Sequence, residues 1–232
     1  MKEKIKAIFF DLDHTLWDYE VNSRETLSEL HDRHHLGFLL GCNTDDFLRT
    51  FERVNFALWE KYNHREIDRD TIRTSRFHEI FRHYGFENPG LALQISDEYI
   101  EDCPAKSNLL PFARESLDYL KTEYELHILS NGFDDTQAVK LEASGIRSFF
   151  GEVITSETTG HRKPAREIFD YSCRRIGYSS AECLMIGDNY KADILGAMDA
   201  ELNAMFFNPM RVKVDRSPHF EIGCLSEITN HL

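Results

Sequence analysis

The sequence predicts an α/β protein built on a mainly parallel sheet, and three observations carry this. Short apolar runs at residues 5–10, 125–131, 152–156, 182–188 and 203–208 read as strands. Helical patterns separate the last four, and strand alternating with helix is the signature of a parallel sheet with helices on its faces. Residues 19–104, by contrast, hold helical patterns and no convincing strand.

The first run contains Ile5, Ala7, Ile8, Phe9 and Phe10 with Lys6 as its only polar member, as expected of a strand buried on both faces. It stops abruptly at Asp11, and Asp13 and Thr15 follow. The next convincing pattern is "TDDFLRTFERVNFALWEKYNH", with Thr44 as the expected cap and Phe47, Leu48, Phe51, Val54, Leu58 and Tyr62 on one face. "DRDTIRTSRFHEIFRHYG" (68–85) and "LALQISDEYIEDC" (91–103) continue in the same manner. These segments read as an all-helical insertion, residues 19–104, in a core domain formed by 1–18 and 105–232. A helix over 111–124 then precedes the strand "ELHILSN". A helix over 134–145, closed by Gly145, precedes "EVITS". A helix over 164–177, opened by Pro164 and closed by Gly177, precedes "ECLMIGD", and "ADILGAMDA" precedes "NAMFFN". No internal repeat or low-complexity linker interrupts the order.

Composition narrows the function. The 232 residues are 41% hydrophobic and 29% charged, typical of a soluble globular chain. No run approaches the ~18 apolar residues of a membrane span. Lys2, Lys4 and Lys6 precede too few apolar residues for a signal-peptide core, so a cytoplasmic location is expected. Cys42, Cys103, Cys173, Cys183 and Cys224 are odd in number and lack a C-x-x-C, which reads as reduced thiols rather than a zinc site. The net charge of −13 argues against a nucleic-acid polymer or an anionic membrane as partner. A small anionic ligand would need a locally positive pocket. A monomer or small homo-oligomer is expected.

The strand ends carry the chemistry. Asp11 and Asp13, then Ser130 and Asn131, then Gly187 and Asp188 follow successive strands, and in a parallel sheet such ends line one crevice. Asp11 and Asp13 are two residues apart and point the same way if strand geometry persists, with Cα atoms ~6–7 Å apart. Two bare carboxylates ~5 Å apart repel by roughly 3 kcal/mol at an effective dielectric of about 20. Asp188 adds a third charge. Hard oxygens without a His or Cys cluster call for Mg²⁺. The plainer alternative has Asp11 ending the strand and Asp13 in an exposed turn.

"FFDLDHT" (9–15), "ILSN" (128–131), "RKP" around Lys163 and "MIGDNYKAD" (185–193) resemble the four motifs of the haloacid dehalogenase superfamily, in the family's order. The resemblance implies a Rossmann-like three-layer core with an inserted all-helical cap. It implies Asp11 as nucleophile, forming an aspartyl-phosphate, and Asp13 as general acid and base. Asp13 favours phosphate esters over organohalides, because a halide leaves without a proton and an alkoxide does not. The resemblance further implies Mg²⁺ on Asp11, Asp188 and the main-chain carbonyl of Asp13. Ser130, Asn131 and Lys163 would contact the phosphate, with support of the loop backbone as the alternative for Asn131. Asp193 would act through water or a loop hydrogen bond, and Thr15 would brace the loop after the first strand.

Other features are expected to be structural. His31, His34 and His35 read as a solvated helix face, since no third ligand accompanies them. His14 reads as loop packing. Phe56, Trp59 and Tyr62 read as cap core, with a base-stacking wall as the alternative. Arg162 and most of Arg65, Arg69, Arg73 and Arg76 read as solvated. Trp17 reads equally as a flap residue or as ordinary packing.

The layout is similar to the pyrimidine-type 5′-nucleotidases of the superfamily, which implies a small-molecule phosphate ester as substrate, a nucleoside monophosphate first. Phosphoglycolate and sugar phosphates are the alternatives within the class. A phospho-acceptor signalling module and a non-catalytic binding protein are those outside it.

Overall fold

The computed structural model describes residues 4–232, so Lys2 lies outside the described residues. The described chain separates into two compact units, one formed by the segment up to Tyr19 together with Ser107–Leu232, the other by Glu20–Lys106.

The first unit is a six-stranded, all-parallel sheet in the order β3-β2-β1-β4-β5-β6. Strand β1 (Ala7–Phe10) lies between β2 (Glu125–Ser130) and β4 (Cys183–Gly187), with Phe10 in register with Ile128 and Ile186. All four β1 residues are buried, as an apolar run without alternation requires of a strand covered on both faces. Strand β3 (Val153–Thr155) forms one edge. Strands β5 (Asn203–Phe207) and β6 (Phe220–Ile222) complete the other. The order reverses between β1 and β4, and that reversal opens a crevice beyond the C-terminal strand ends. On one face, Phe9 and Met185 pack with Ile168, Phe169 and Ala197. β6 was not expected. It is three residues long and offers no periodicity, and it is recognisable only through its pairing with β5.

Two local expectations are corrected. The helix after Lys163 runs from Arg166 to Ile176 with Ala165 as its cap residue, so Pro164 precedes the helix rather than opening it. The segment after β4 forms a π-helical turn, Tyr190–Leu195, before a short α-helix. Gly145 and Gly177 do adopt the left-handed conformation that closes their helices.

The loop after β1 folds back on itself: the main-chain N–H groups of Leu16 and Trp17 both donate to the carbonyl of Leu12, at 2.9 Å each. The insertion begins beyond it. Trp17 pairs antiparallel with Leu109, Asp18 N donates to Asn108 O (3.1 Å) and Leu110 N donates to Leu16 O (2.9 Å).

The second unit is helical: α1 (Tyr19–Arg33), α2 (Leu36–Leu40), α3 (Thr44–Asn63), α4 (Arg69–His83) and α5 (Pro89–Asp102). Asn43, not Thr44, caps α3, its side chain accepting from Asp46 N. The rings of Phe47, Phe51, Phe77 and Tyr99 form the centre, with centroid separations of 5.0–6.5 Å. The guanidinium of Arg76 stacks on Phe51 and Tyr99 at 5.7 and 5.2 Å, so Arg76 is buried rather than solvated. His31 is likewise buried, against Phe47, and His34 pairs with Glu98 at 2.8 Å; only His35 of the three is exposed. Of the expected aromatic core residues, Tyr62 is buried, Trp59 is half-buried, and Phe56 is 69% exposed. A spacing of three advances 300° around a helix, so the three rings spread over an arc.

Candidate active site

The residue after β1 is Asp11, whose main-chain N–H donates to Ile186 O of β4 at 2.9 Å, continuing the ladder by one step. Ser130 is the last residue of β2, and Asp188 follows β4 directly. Three strand ends therefore deliver their polar residues to one crevice. The loop carrying Lys163 joins them: its ammonium donates to Asp11 Oδ1 (2.7 Å) and Leu129 O (2.7 Å) and pairs with Asp193 Oδ1 at 2.6 Å. Two of its three N–H bonds are given as hydrogen bonds, and Asp193 meets the charge as an ion pair.

Asp11, Asp188 and Asp193 come together, with one carboxylate oxygen of each within 4.8 Å of the others. The expectation for Asp193 was a water or loop contact. It makes the loop contact, with Oδ2 accepting from Asn189 N at 3.0 Å, and it also pairs directly with Lys163. Gly187 is what admits it: a β-carbon there would stand 2.3 Å from Asp193 Oδ2. Thr15 does more than brace its own loop. Its hydroxyl donates to Asp188 Oδ1 and accepts from Asp188 N, each at 3.1 Å, tying the loop after β1 to the end of β4.

Of the two roles expected of Asn131, phosphate contact and backbone support, the structure shows the second. Its amide is turned to the main chain of Lys163, donating to the carbonyl (3.0 Å) and accepting from the N–H (2.8 Å). Both ends of the amide are thereby committed, and the residue positions Lys163. Arg162, expected to be solvated, is half-buried, and Trp17 is fully buried. His14 is exposed at φ 61° and stacks on Tyr19 at 4.8 Å.

Asp13 stands apart from the three-carboxylate group. Its Oδ1 accepts from Lys140 Nζ at 2.6 Å and its Oδ2 from Gln137 Nε2 at 2.9 Å. Gln137 Nε2 also donates to Ser130 Oγ at 2.7 Å, and Gly132 N donates to the same oxygen at 3.0 Å. Ser130 thus accepts twice and keeps its own proton to give away. Helix α6 (Ala113–Leu120) precedes β2, and Lys140 and Gln137 lie on the next helix, α7 (Asp134–Ala143), both buried. Sequence reasoning missed them, and the signal that reveals them is two polar residues at i, i+3 on the face that also carries buried Leu141.

The electrostatics follow from burial and charge. Burial pushes Asp11 up to about 7; Lys163 pulls the other way and Asp193 adds to the rise. Burial, with repulsion from Asp11, pushes Asp188 up to about 6. Burial also raises Asp193, against the pull of Lys163. Lys163 moves up: burial alone would lower it, but Asp11 and Asp193 outweigh burial. Asp13 moves below the usual carboxylate range because the Lys140 charge and the hydrogen bonds from Lys140 and Gln137 overcome its burial.

A model of the haloacid dehalogenase-like hydrolases matches residues 5–200. The chain belongs to that family. HAD-hydrolase YfnB of Bacillus subtilis is 30% identical over 229 residues, covering 97% of this chain and 94% of the relative. A crystal structure of YfnB bound to magnesium superposes with a TM-score of 0.87 at 28% identity, covering 98% of each chain. The ribulose-1,5-bisphosphate 5-phosphatase of Halopiger xanaduensis is 30% identical, covering 97% of this chain and 98% of the relative. The pyrimidine 5′-nucleotidase YjjG of Escherichia coli is also 30% identical, covering 87% and 85%. The chain is thus a hydrolase on a parallel-sheet core with a helical insertion, and the phospho-acceptor and non-catalytic alternatives give way to an enzyme.

Proposed function

We propose that this hydrolase is a Mg²⁺-dependent phosphatase that cleaves small phosphate monoesters through an aspartyl-phosphate on Asp11. The observation that carries the reading is the Lys163 ammonium held 2.7 Å from Asp11 and 2.6 Å from Asp193, beside Asp188.

The donor set fits a hard divalent cation: the gathered ligand atoms are carboxylate oxygens, with no imidazole or thiolate among them. Burial raises Asp11 and Asp188, with neighbouring carboxylates adding to the rise, and a cation would offset both effects. Asp11, Asp188 and the Asp13 carbonyl would hold Mg²⁺, with Asp193 behind them. When bound, Mg²⁺ supplies positive charge against the phosphoryl oxygens.

The chain's own residues do the rest. Lys163 holds Asp11 Oδ1, which assigns the attack on phosphorus to Oδ2. As the Oδ2–P bond forms, the bond from phosphorus to the ester oxygen breaks, and Asp13 gives its proton to that oxygen. Water then attacks the aspartyl-phosphate, its proton goes to Asp13, and Asp11 is released with inorganic phosphate. Ser130 Oγ–H and the Lys163 ammonium neutralise phosphoryl charge throughout. In the described state Asp13 is held ionised, the form needed for the second step. The proton it gives in the first step is taken up from solvent as the anionic ester binds beside it.

A nucleoside 5′-monophosphate is the first substrate class, supported by the likeness to YjjG. A sugar phosphate is the second, supported by an equal identity to the ribulose bisphosphate phosphatase over more of both chains. The free state of Cys42, Cys103, Cys173, Cys183 and Cys224 supports a reducing, cytoplasmic setting. The test is a turnover screen over nucleoside monophosphates, sugar phosphates and phosphoglycolate, with Mg²⁺ and with excess chelator. Phosphate release only with Mg²⁺ is expected, and release in excess chelator would refute the metal dependence.

A further inference from the structure

The phosphatase mechanism needs a proton donor aimed at the leaving oxygen, and carboxylates on loops do not aim themselves. Asp13 follows β1 within a tight turn, and neither of its side-chain contacts comes from that turn. Both come from α7: Lys140 Nζ to Oδ1 at 2.6 Å and Gln137 Nε2 to Oδ2 at 2.9 Å. The two donors are three residues apart on one helix face, so they grip the carboxylate from one rigid support. Lys140 is itself fixed. Its residue is 6% exposed, and its ammonium lies 4.6 Å from the centre of the buried Trp17 ring. Gln137 is completely buried, and the same Nε2 that reaches Asp13 reaches Ser130 Oγ at 2.7 Å. One amide therefore sets the separation between Asp13 and Ser130.

We propose that Lys140, together with Gln137, is a positioning residue that orients the Asp13 carboxyl toward the leaving oxygen. The inference rests on the phosphatase reading above. Neither residue touches the reacting atoms; Lys140 acts through Asp13, and Gln137 through Asp13 and Ser130. In the step they govern, the bond from phosphorus to the ester oxygen breaks and the Asp13 proton passes to that oxygen. An ester whose alcohol leaves readily as an anion does not need that proton. Mispositioning Asp13 should therefore harm alkyl esters and spare activated aryl esters.

The experiment measures kcat/KM with Mg²⁺ for an alkyl phosphate, a nucleoside 5′-monophosphate or ribose 5-phosphate, and for 2,4-dinitrophenyl phosphate. kcat/KM reports steps up to leaving-group departure, before the hydrolysis both esters share. Lys140→Met keeps the aliphatic stem against Trp17 and removes the charge. Its alkyl kcat/KM should fall about 10²-fold, the usual worth of a positioned acid, while the aryl value changes by less than ~3-fold. Lys140→Arg should restore much of the alkyl loss. If Lys140→Met does not fold, Lys140→Gln should show the same selective loss at smaller size. Equal losses on both esters, or no loss on either, overturn the inference while leaving the phosphatase reading standing. A native protein that turns over neither ester with Mg²⁺ overturns the reading and the inference with it.

Discussion

The Lys163 ammonium and the Asp193 carboxylate sit 2.6 Å apart, each almost wholly buried, and neither is at the end of a strand. This pair helps fix the lysine beside Asp11. Substituting Lys163 by Met strands two buried carboxylates. Turnover should fall by about 10²–10³ through lost charge stabilisation. Stability should fall by about 3–5 kcal/mol, the usual cost of breaking a buried pair. Urea melts of Lys163→Met and of a double variant with Asp193→Asn separate the two effects. The double variant should regain stability and not turnover.

Gly187 sets the position of Asp193. A β-carbon there would stand 2.3 Å from Oδ2 and 2.5 Å from Cγ of Asp193. Gly187→Ala should therefore push Asp193 off Lys163 without touching either charge. A displacement near 1 Å at a site of this kind costs about 10²-fold in rate. A kcat within twofold of native would show that Asp193 has room to move.

Asp11→Asn should leave the fold intact and abolish turnover, since an amide oxygen does not form the phosphoenzyme. Circular dichroism checks the first part and phosphate release the second. The variant should also melt at a higher temperature than native in chelator at pH 8, because it removes a charge that burial disfavours.

The metal-free protein should lose stability as pH rises. Asp11 moves up from 3.8 to about 7 and Asp188 from 3.8 to about 6. Their folded-state affinities for protons exceed the unfolded ones, so proton binding favours the fold at low pH. That contribution fades as pH climbs from about 4 to about 7. Mg²⁺ should reverse the trend, raising Tm more at pH 8 than at pH 5. Thermal melts with Mg²⁺ and with chelator at both values provide the check, and an equal Mg²⁺ shift at both would count against these groups as ligands.

In the helical unit, Phe77 stacks with Phe47 and meets Phe51 and Tyr99. Phe77→Ala should cost about 3–5 kcal/mol, as large-to-small changes in ring-lined cores do. A denaturant melt measures it.

The strand ends were legible because chain order and burial coincide there: Phe10 is the last apolar residue of β1 and Asp11 the first polar one, with no intervening turn to decode. Lys140 was not legible. It sits on a regular helix, and its partner lies 127 positions away in the chain, so local periodicity carries no trace of the contact. Asn131 was left between two roles for a related reason. A side-chain amide suits a phosphate or a main chain equally, and only folding shows that Lys163 occupies both its ends. His31 was read as solvated because charge suggests water, yet its ring is buried against Phe47, and Arg76 proves to be an exception among arginines read as mostly solvated.

The hydrogen bonds joining Asp18 to Asn108 and Leu16 to Leu110 draw the outgoing and returning chains into one doorway. A hairpin turn of two residues bridges so narrow a gap. Excising the excursion and stitching Asp18 to Asn108 with Asn-Gly should therefore leave a self-standing miniature of the sheet domain, one that keeps the aspartates and sheds the helices.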